Sequence, residues 1–182
     1  MTDPVLPPLL FLDVDGTLLP YDGARLPSTP EGWAAWQEAS NPQPAKIDLG
    51  HGPRLPALPC ALMWATAWRE NADEVTAPLL GLPELPVADL PEVPEGAEAG
   101  APNWTTSALV RAAAGRPFIW VDDAITELDR AWLSTHHRGP ALLHRDSRTG
   151  LTELGFAVLD DRPIHCLPHD DQVVMPCSPG RR

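Results

Sequence analysis

Lysine is nearly absent from this chain: Lys46 is the only one, and the formal net charge is −12 over 182 residues. Binding along a nucleic-acid backbone needs a dense basic face, so that class of partner is disfavoured. A small phosphorylated substrate needs one local positive site and stays open. Long apolar runs are missing as well. None approaches the ~18 residues of a membrane span, and the apolar stretch near the start has no basic region ahead of it, so no signal peptide is expected. Cysteine is scarce. Cys60, Cys166 and Cys177 are odd in number and widely spaced, which reads as reduced thiols of a cytoplasmic protein and not as a disulfide framework.

Apolar residues make up 43% of the chain, enough for one buried core. We expect one domain over residues 1–160 and a flexible tail over 161–182. The 23 prolines crowd into Leu26–Pro59 and Pro78–Pro102, which read as surface loops with turns, apart from one short helix over Glu31–Ala39. Between these stretches, short apolar runs alternate with helical patterns. Strands are expected at Leu9–Val14, Cys60–Ala65, Pro117–Val121 and Ala141–Leu143, with a weak one at Leu85–Val87. Helices are expected over Asn71–Leu80, stopped by Gly81, and over Thr105–Ala114, Ala124–Thr135 and Leu151–Leu159. This alternation predicts an α/β fold, a mostly parallel sheet with helices on both faces. Three runs end in polar residues: Asp13, Thr66 and Asp122. In an open α/β sheet, ligands bind beyond those strand ends.

The stretch Asp13-Val14-Asp15-Gly16-Thr17 places two carboxylates two residues apart, and Asp122-Asp123 adds a second acidic pair. Such groups repel unless a positive charge joins them, and a divalent cation with oxygen ligands, Mg²⁺ above all, does this together with a substrate phosphate. The ordered set of a strand ending in DVDGT, a strand ending in LMWAT and a strand ending in FIWVDD resembles the haloacid dehalogenase (HAD) superfamily. WATAWRENAD and GRPFIWVDD are similar to uncharacterised actinobacterial members of it. The resemblance covers roughly Leu9–Leu159. It implies a three-layer α/β/α Rossmann-like fold and a Mg²⁺-dependent phosphatase acting on a phosphorylated substrate. Asp13 would attack phosphorus and become an aspartyl-phosphate, Asp15 would serve as acid and base, and Thr66 would bind a phosphoryl oxygen. The Asp13 side chain, the Asp15 carbonyl, Asp122 and Asp123 would hold Mg²⁺. The 18–59 segment is too short for a separate cap domain, so a minimal or absent cap and an open site are expected. Family association points to RNA repair as one setting, to which the acidic charge lends no support.

The pattern also has departures. The family's third motif is a Lys, and Thr105 stands in its place. Arg111 is about two helical turns further on, and Lys46 and Arg69 are substitutes without positional support. Asp73 stands where the relatives have Asn. The missing Lys motivates an alternative: a catalytically weak or inactive HAD-like domain acting in binding or regulation. The simpler readings stand beside these. DVDGT also suits a turn, and Asp122-Asp123 suits a helix cap. The seven Trp read as core and helix-packing residues ahead of a role lining a substrate pocket. His136-His137 read as the polar end of a helix. His165, Cys166, His169, Asp170, Asp171 and Cys177 resemble a loose metal cluster but read as part of the tail and not as a Zn²⁺ site, which needs tighter paired spacings.

Overall fold

The computed structural model describes residues 6–21, 27, 29–38, 40–91, 104–137 and 141–160. Four strands form one parallel sheet: β1 (Leu9–Leu12), β2 (Ala61–Trp64), β3 (Phe118–Asp122) and β4 (Ala141–His144), in the order β2-β1-β3-β4. The central strands β1 and β3 are buried at every residue, which is why each reads as an unbroken apolar run. Among the described residues six α-helices accompany the sheet: α1 (Pro30–Trp36), α2 (His51–Arg54), α3 (Ala77–Leu80), α4 (Trp104–Ala113), α5 (Glu127–His136) and α6 (Glu153–Asp160).

Successive strand residues point to opposite faces, and two cores result. Leu9, Phe11, Phe118 and Trp120 pack with Ala108 and Leu109 of α4 and Leu133 of α5; the Phe11 and Phe118 rings meet edge to face at 5.2 Å. Leu10, Leu12, Ile119 and Val121 pack with Leu55, Leu80 and Phe156 on the other face. The fold is thus the expected three-layer α/β/α arrangement. Among the described residues no helix is long and apolar enough to cross a membrane.

The proline-rich stretch corrects the expectation of surface loops. Besides α1 and α2 it forms 3₁₀ turns at Gln43–Lys46 and Leu55–Ala57, and Ile47, Leu55 and Leu58 enter the core. One proline sits in the first turn of α1 and of each 3₁₀ turn, as Pro78 of the second proline-rich stretch does in α3, where the fixed φ favours helix and the missing N–H costs nothing. At α1 the Thr29 hydroxyl accepts from Gly32 N at 3.1 Å, so Thr-Pro here is a start signal.

Other boundaries moved for local reasons. The helix expected over Asn71–Leu80 begins as a π-turn, Ala72–Thr76, before α3, and Gly81 closes it at φ 65°. The Leu85–Val87 strand shrinks to one parallel bridge, Trp64 with Val87, on the outer edge of β2. Helix α5 starts after Thr126 and not at Ala124, because Thr126 and Asp129 form a capping box. His137 is buried with its ring 4.7 Å from that of Phe118, so only His136 is a polar helix end. The expected tail, with its His and Cys residues, lies outside the described residues.

Candidate active site

Parallel register builds the site. Leu12 of β1 lies beside Trp64 of β2 on one side and Val121 of β3 on the other. The next residue of each strand therefore arrives at one level: Asp13 between Ala65 and Asp122. The pairing continues through Asp13 N to Val121 O at 3.2 Å and Ala65 N to Leu12 O at 3.0 Å. Beyond Asp15 the chain folds back, with Leu18 N and Leu19 N both bonded to Val14 O. Gly16 makes that turn at φ 71°, and a Cβ there would lie 2.3 Å from Asp123 Cγ. Only glycine gives the turn and lets the second acidic pair approach.

Carboxylate oxygens of Asp13, Asp122 and Asp123 all lie within 4.8 Å of one another. Asp13 and Asp122 are buried, and Asp123 half-buried. Burial first, then the negative charges of Asp122 and Asp15, push the Asp13 carboxyl well above the ordinary carboxylate range, against a hydrogen bond from Thr66. Asp122 is pushed up to about 7, by burial and then by Asp123, although Ala124 N and the Trp120 indole favour its ionised form. Those donors lie at 2.7 Å and 3.0 Å. Crowded oxygen ligands held short of water are a poor resting state by themselves, and a hard divalent cation is the group that resolves it. The donor set, all oxygen, fits Mg²⁺ and not a soft metal.

The Asp15 side chain is kept apart from this trio. Its two oxygens accept from Trp36 Nε1 at 2.9 Å and Trp68 Nε1 at 2.7 Å. Burial raises it to about 6 in spite of these two donors, which keeps a proton within reach near neutrality. Thr66 is buried beside Asp13, and its hydroxyl oxygen accepts from Trp68 N at 3.3 Å. Tyr21 donates its hydroxyl to Asp123 Oδ2 at 2.7 Å, and burial together with that bond raises the phenol to about 12.

The structure thus brings together Asp13, Asp15, Thr66, Asp122 and Asp123. The family described as the HAD domain in Swiss Army Knife RNA repair proteins matches residues 9–156, a span that holds all five. The chain belongs to this family. No curated protein and no solved structure matches it. As a HAD domain it has a hydrolase-type, phosphatase-like role at the coarse level, and HAD domains typically use Mg²⁺.

The basic substitutes weighed for the third-motif Lys go elsewhere in this HAD domain. Arg69 donates from Nη2 to Leu90 O at 3.0 Å. Lys46 lines a separate cavity of about 240 Å³ with Asp48, His51 and Thr149. Arg111 sits in the last turn of α4. Thr105 is buried in the first turn of α4. Asp73 has a structural reason: one of its oxygens accepts from both Trp64 Nε1 at 2.9 Å and Leu85 N at 3.0 Å, anchoring the bridge beside β2. The residues that sequence reasoning missed are Trp36, Trp68, Trp120 and Tyr21. The short spacing from Thr66 to Trp68 was a signal for one of them; nothing local marked Trp36, 21 residues from its partner.

Proposed function

We propose that this HAD domain is a Mg²⁺-dependent phosphatase that hydrolyses phosphomonoesters through Asp13. The convergence of Asp13, Asp122 and Asp123 at adjacent strand ends carries the reading, with Asp15 held beside them as a separate acid. Asp13, Asp122, Asp123 and the Asp15 carbonyl would hold the cation, which supplies charge to offset the phosphoryl oxygens. An Asp13 oxygen attacks phosphorus in line, the ester P–O bond breaks, and Asp15 gives its proton to the leaving oxygen. Water then attacks the aspartyl-phosphate, Asp15 takes a proton from that water, and the bond from phosphorus to Asp13 breaks to release inorganic phosphate. Thr66 orients a phosphoryl oxygen.

The substrate class includes phosphate esters on larger molecules, because no separate cap domain is present among the described residues. The family description, which concerns RNA repair proteins, makes a phosphorylated RNA end one candidate to assay. The test is hydrolysis of an aryl phosphate and of 3′- and 5′-phosphorylated oligoribonucleotides by wild type and Asp13→Asn, with Mg²⁺ and with chelator. Turnover that needs both Asp13 and Mg²⁺ supports the reading. Thr105 in place of the Lys favours a second one, a binding domain that keeps the metal without turnover. Folded, Mg²⁺-binding protein that hydrolyses none of these esters decides for it.

A further inference from the structure

The Asp15 carboxylate is gripped from two places outside its own motif. Trp36 ends α1 and donates to Oδ1; Trp68 lies in the turn after β2 and donates to Oδ2. Trp68 is buried and Trp36 half-buried. Helix α1 is tied to the same turn by Gln37, which donates from Nε2 to Ala67 O at 3.1 Å and accepts from Asn71 Nδ2 at 2.9 Å. One donor on each oxygen fixes the rotation of the carboxyl plane. An indole N–H donates only; it cannot accept a proton and carries no charge. Whatever proton Asp15 carries must therefore sit on a lone pair that neither indole uses. A Lys or Arg in either place would grip as well, but its charge would favour the carboxylate over the acid.

We propose that Trp36 and Trp68 are positioning residues that fix which lone pair of Asp15 delivers the proton to the leaving oxygen, making the α1 segment part of the acid catalyst. This rests on the phosphatase reading above. Its consequence depends on the leaving group. An alkoxide leaving group needs its proton as the P–O bond breaks, whereas a nitrophenolate departs without one. Misplacing the acid therefore slows phosphoryl transfer from alkyl esters and spares that from activated aryl esters, and kcat/KM isolates this step from the later attack of water, in which Asp15 serves both esters alike.

The experiment compares wild type, Trp36→Phe and Trp68→Phe on an alkyl phosphate and on p-nitrophenyl phosphate, with Mg²⁺ saturating. Both variants are expected to lose kcat/KM on the alkyl ester by on the order of tenfold more than on the aryl ester, a part of the ~10²–10⁴ that a whole general acid contributes. Trp132→Phe, whose ring stacks on His136 at 4.0 Å, is expected to leave that ratio unchanged. Indole ¹H–¹⁵N signals of the full chain give a readout without turnover. Asp15→Asn presents an acceptor to only one of the two indoles, so a Trp36 or Trp68 signal shifts while that of Trp132 stays. Equal losses of kcat/KM on the two esters overturn the proposal, and so do Trp36 and Trp68 signals that Asp15→Asn leaves in place. A wild type that hydrolyses neither ester removes the phosphatase reading and the proton-delivery role with it, whereas a failure confined to the ester ratio removes the positioning role alone.

Discussion

Two regions of this domain bury carboxylates, and they treat them in opposite ways. Where α4 meets α5, Asp129 is fully buried and receives the Thr106 hydroxyl, the Thr126 N–H at 2.9 Å and the Thr126 hydroxyl at 2.6 Å. At the ends of β1 and β3, Asp13, Asp122 and Asp123 face one another. The first region is complete without any ligand. The second assembles charge of one sign where water is scarce, which raises Asp13 and Asp122 toward protonation. The difference teaches how to separate a structural acid from a functional one: local hydroxyl and backbone donors mark the former, other acids the latter.

The largest test of that difference is Asp13→Asn. Hydrolysis should fall by on the order of 10³-fold or more, as for loss of a nucleophile, while the melting temperature without metal should hold or rise because a repulsive charge is gone. A clear drop in melting temperature would mean that Asp13 is a structural acid like Asp129. Next comes Gly16→Ala. The added methyl meets Asp123 at 2.3 Å, so titration calorimetry should find Mg²⁺ bound about 10–100-fold more weakly, the size of effect seen when the support of a metal ligand is disturbed. Unchanged affinity would place Asp123 outside the metal set. Asp129→Ala should do the reverse of Asp13→Asn. It leaves buried donors unpaired and should cost roughly 1–3 kcal/mol in denaturant unfolding, with turnover per folded molecule retained.

The smallest expected effect is on pH. Asp15 and Asp122 rise from 3.8 to about 6 and about 7 in the folded state. Between those limits the native protein binds more protons than the unfolded chain, so stability falls as pH rises. Without metal the melting temperature should therefore drop by about a few degrees from pH 5 to pH 8, and Mg²⁺ should restore it at pH 8. A melting temperature that rises over this window would contradict the crowding of the acids.

Much of this was legible in the sequence because the central strands are buried on both sides. Leu9–Leu12 and Phe118–Val121 show as plain apolar runs, and the acids at their ends stand out against them. What stayed hidden depends on contacts between distant segments. Nothing near Trp36 announces a carboxylate 21 residues away. The π-turn at Ala72–Thr76 leaves no trace in helical spacing, and the prolines of 26–59 look alike whether they open a turn or line a loop. The helix expected from Ala124 overlooked Thr126 as its cap, because the partner Asp129 stands in place of the usual Glu or Gln of a capping box.

The parallel pairing of β1 with β3 also sets an order of events as the chain is made. β1 can pair with β2 once residue 64 has emerged. Asp13 meets Asp122 only when β3 docks on the other edge of β1, more than a hundred residues after β1 was made. Until then the first acidic pair is a lone loop with no more grip on a cation than any other. Non-local pairings of this kind form late. On the Mg²⁺-dependent reading proposed above, tight Mg²⁺ uptake by a growing or refolding chain would be a clock for β3, starting only when that strand docks on β1.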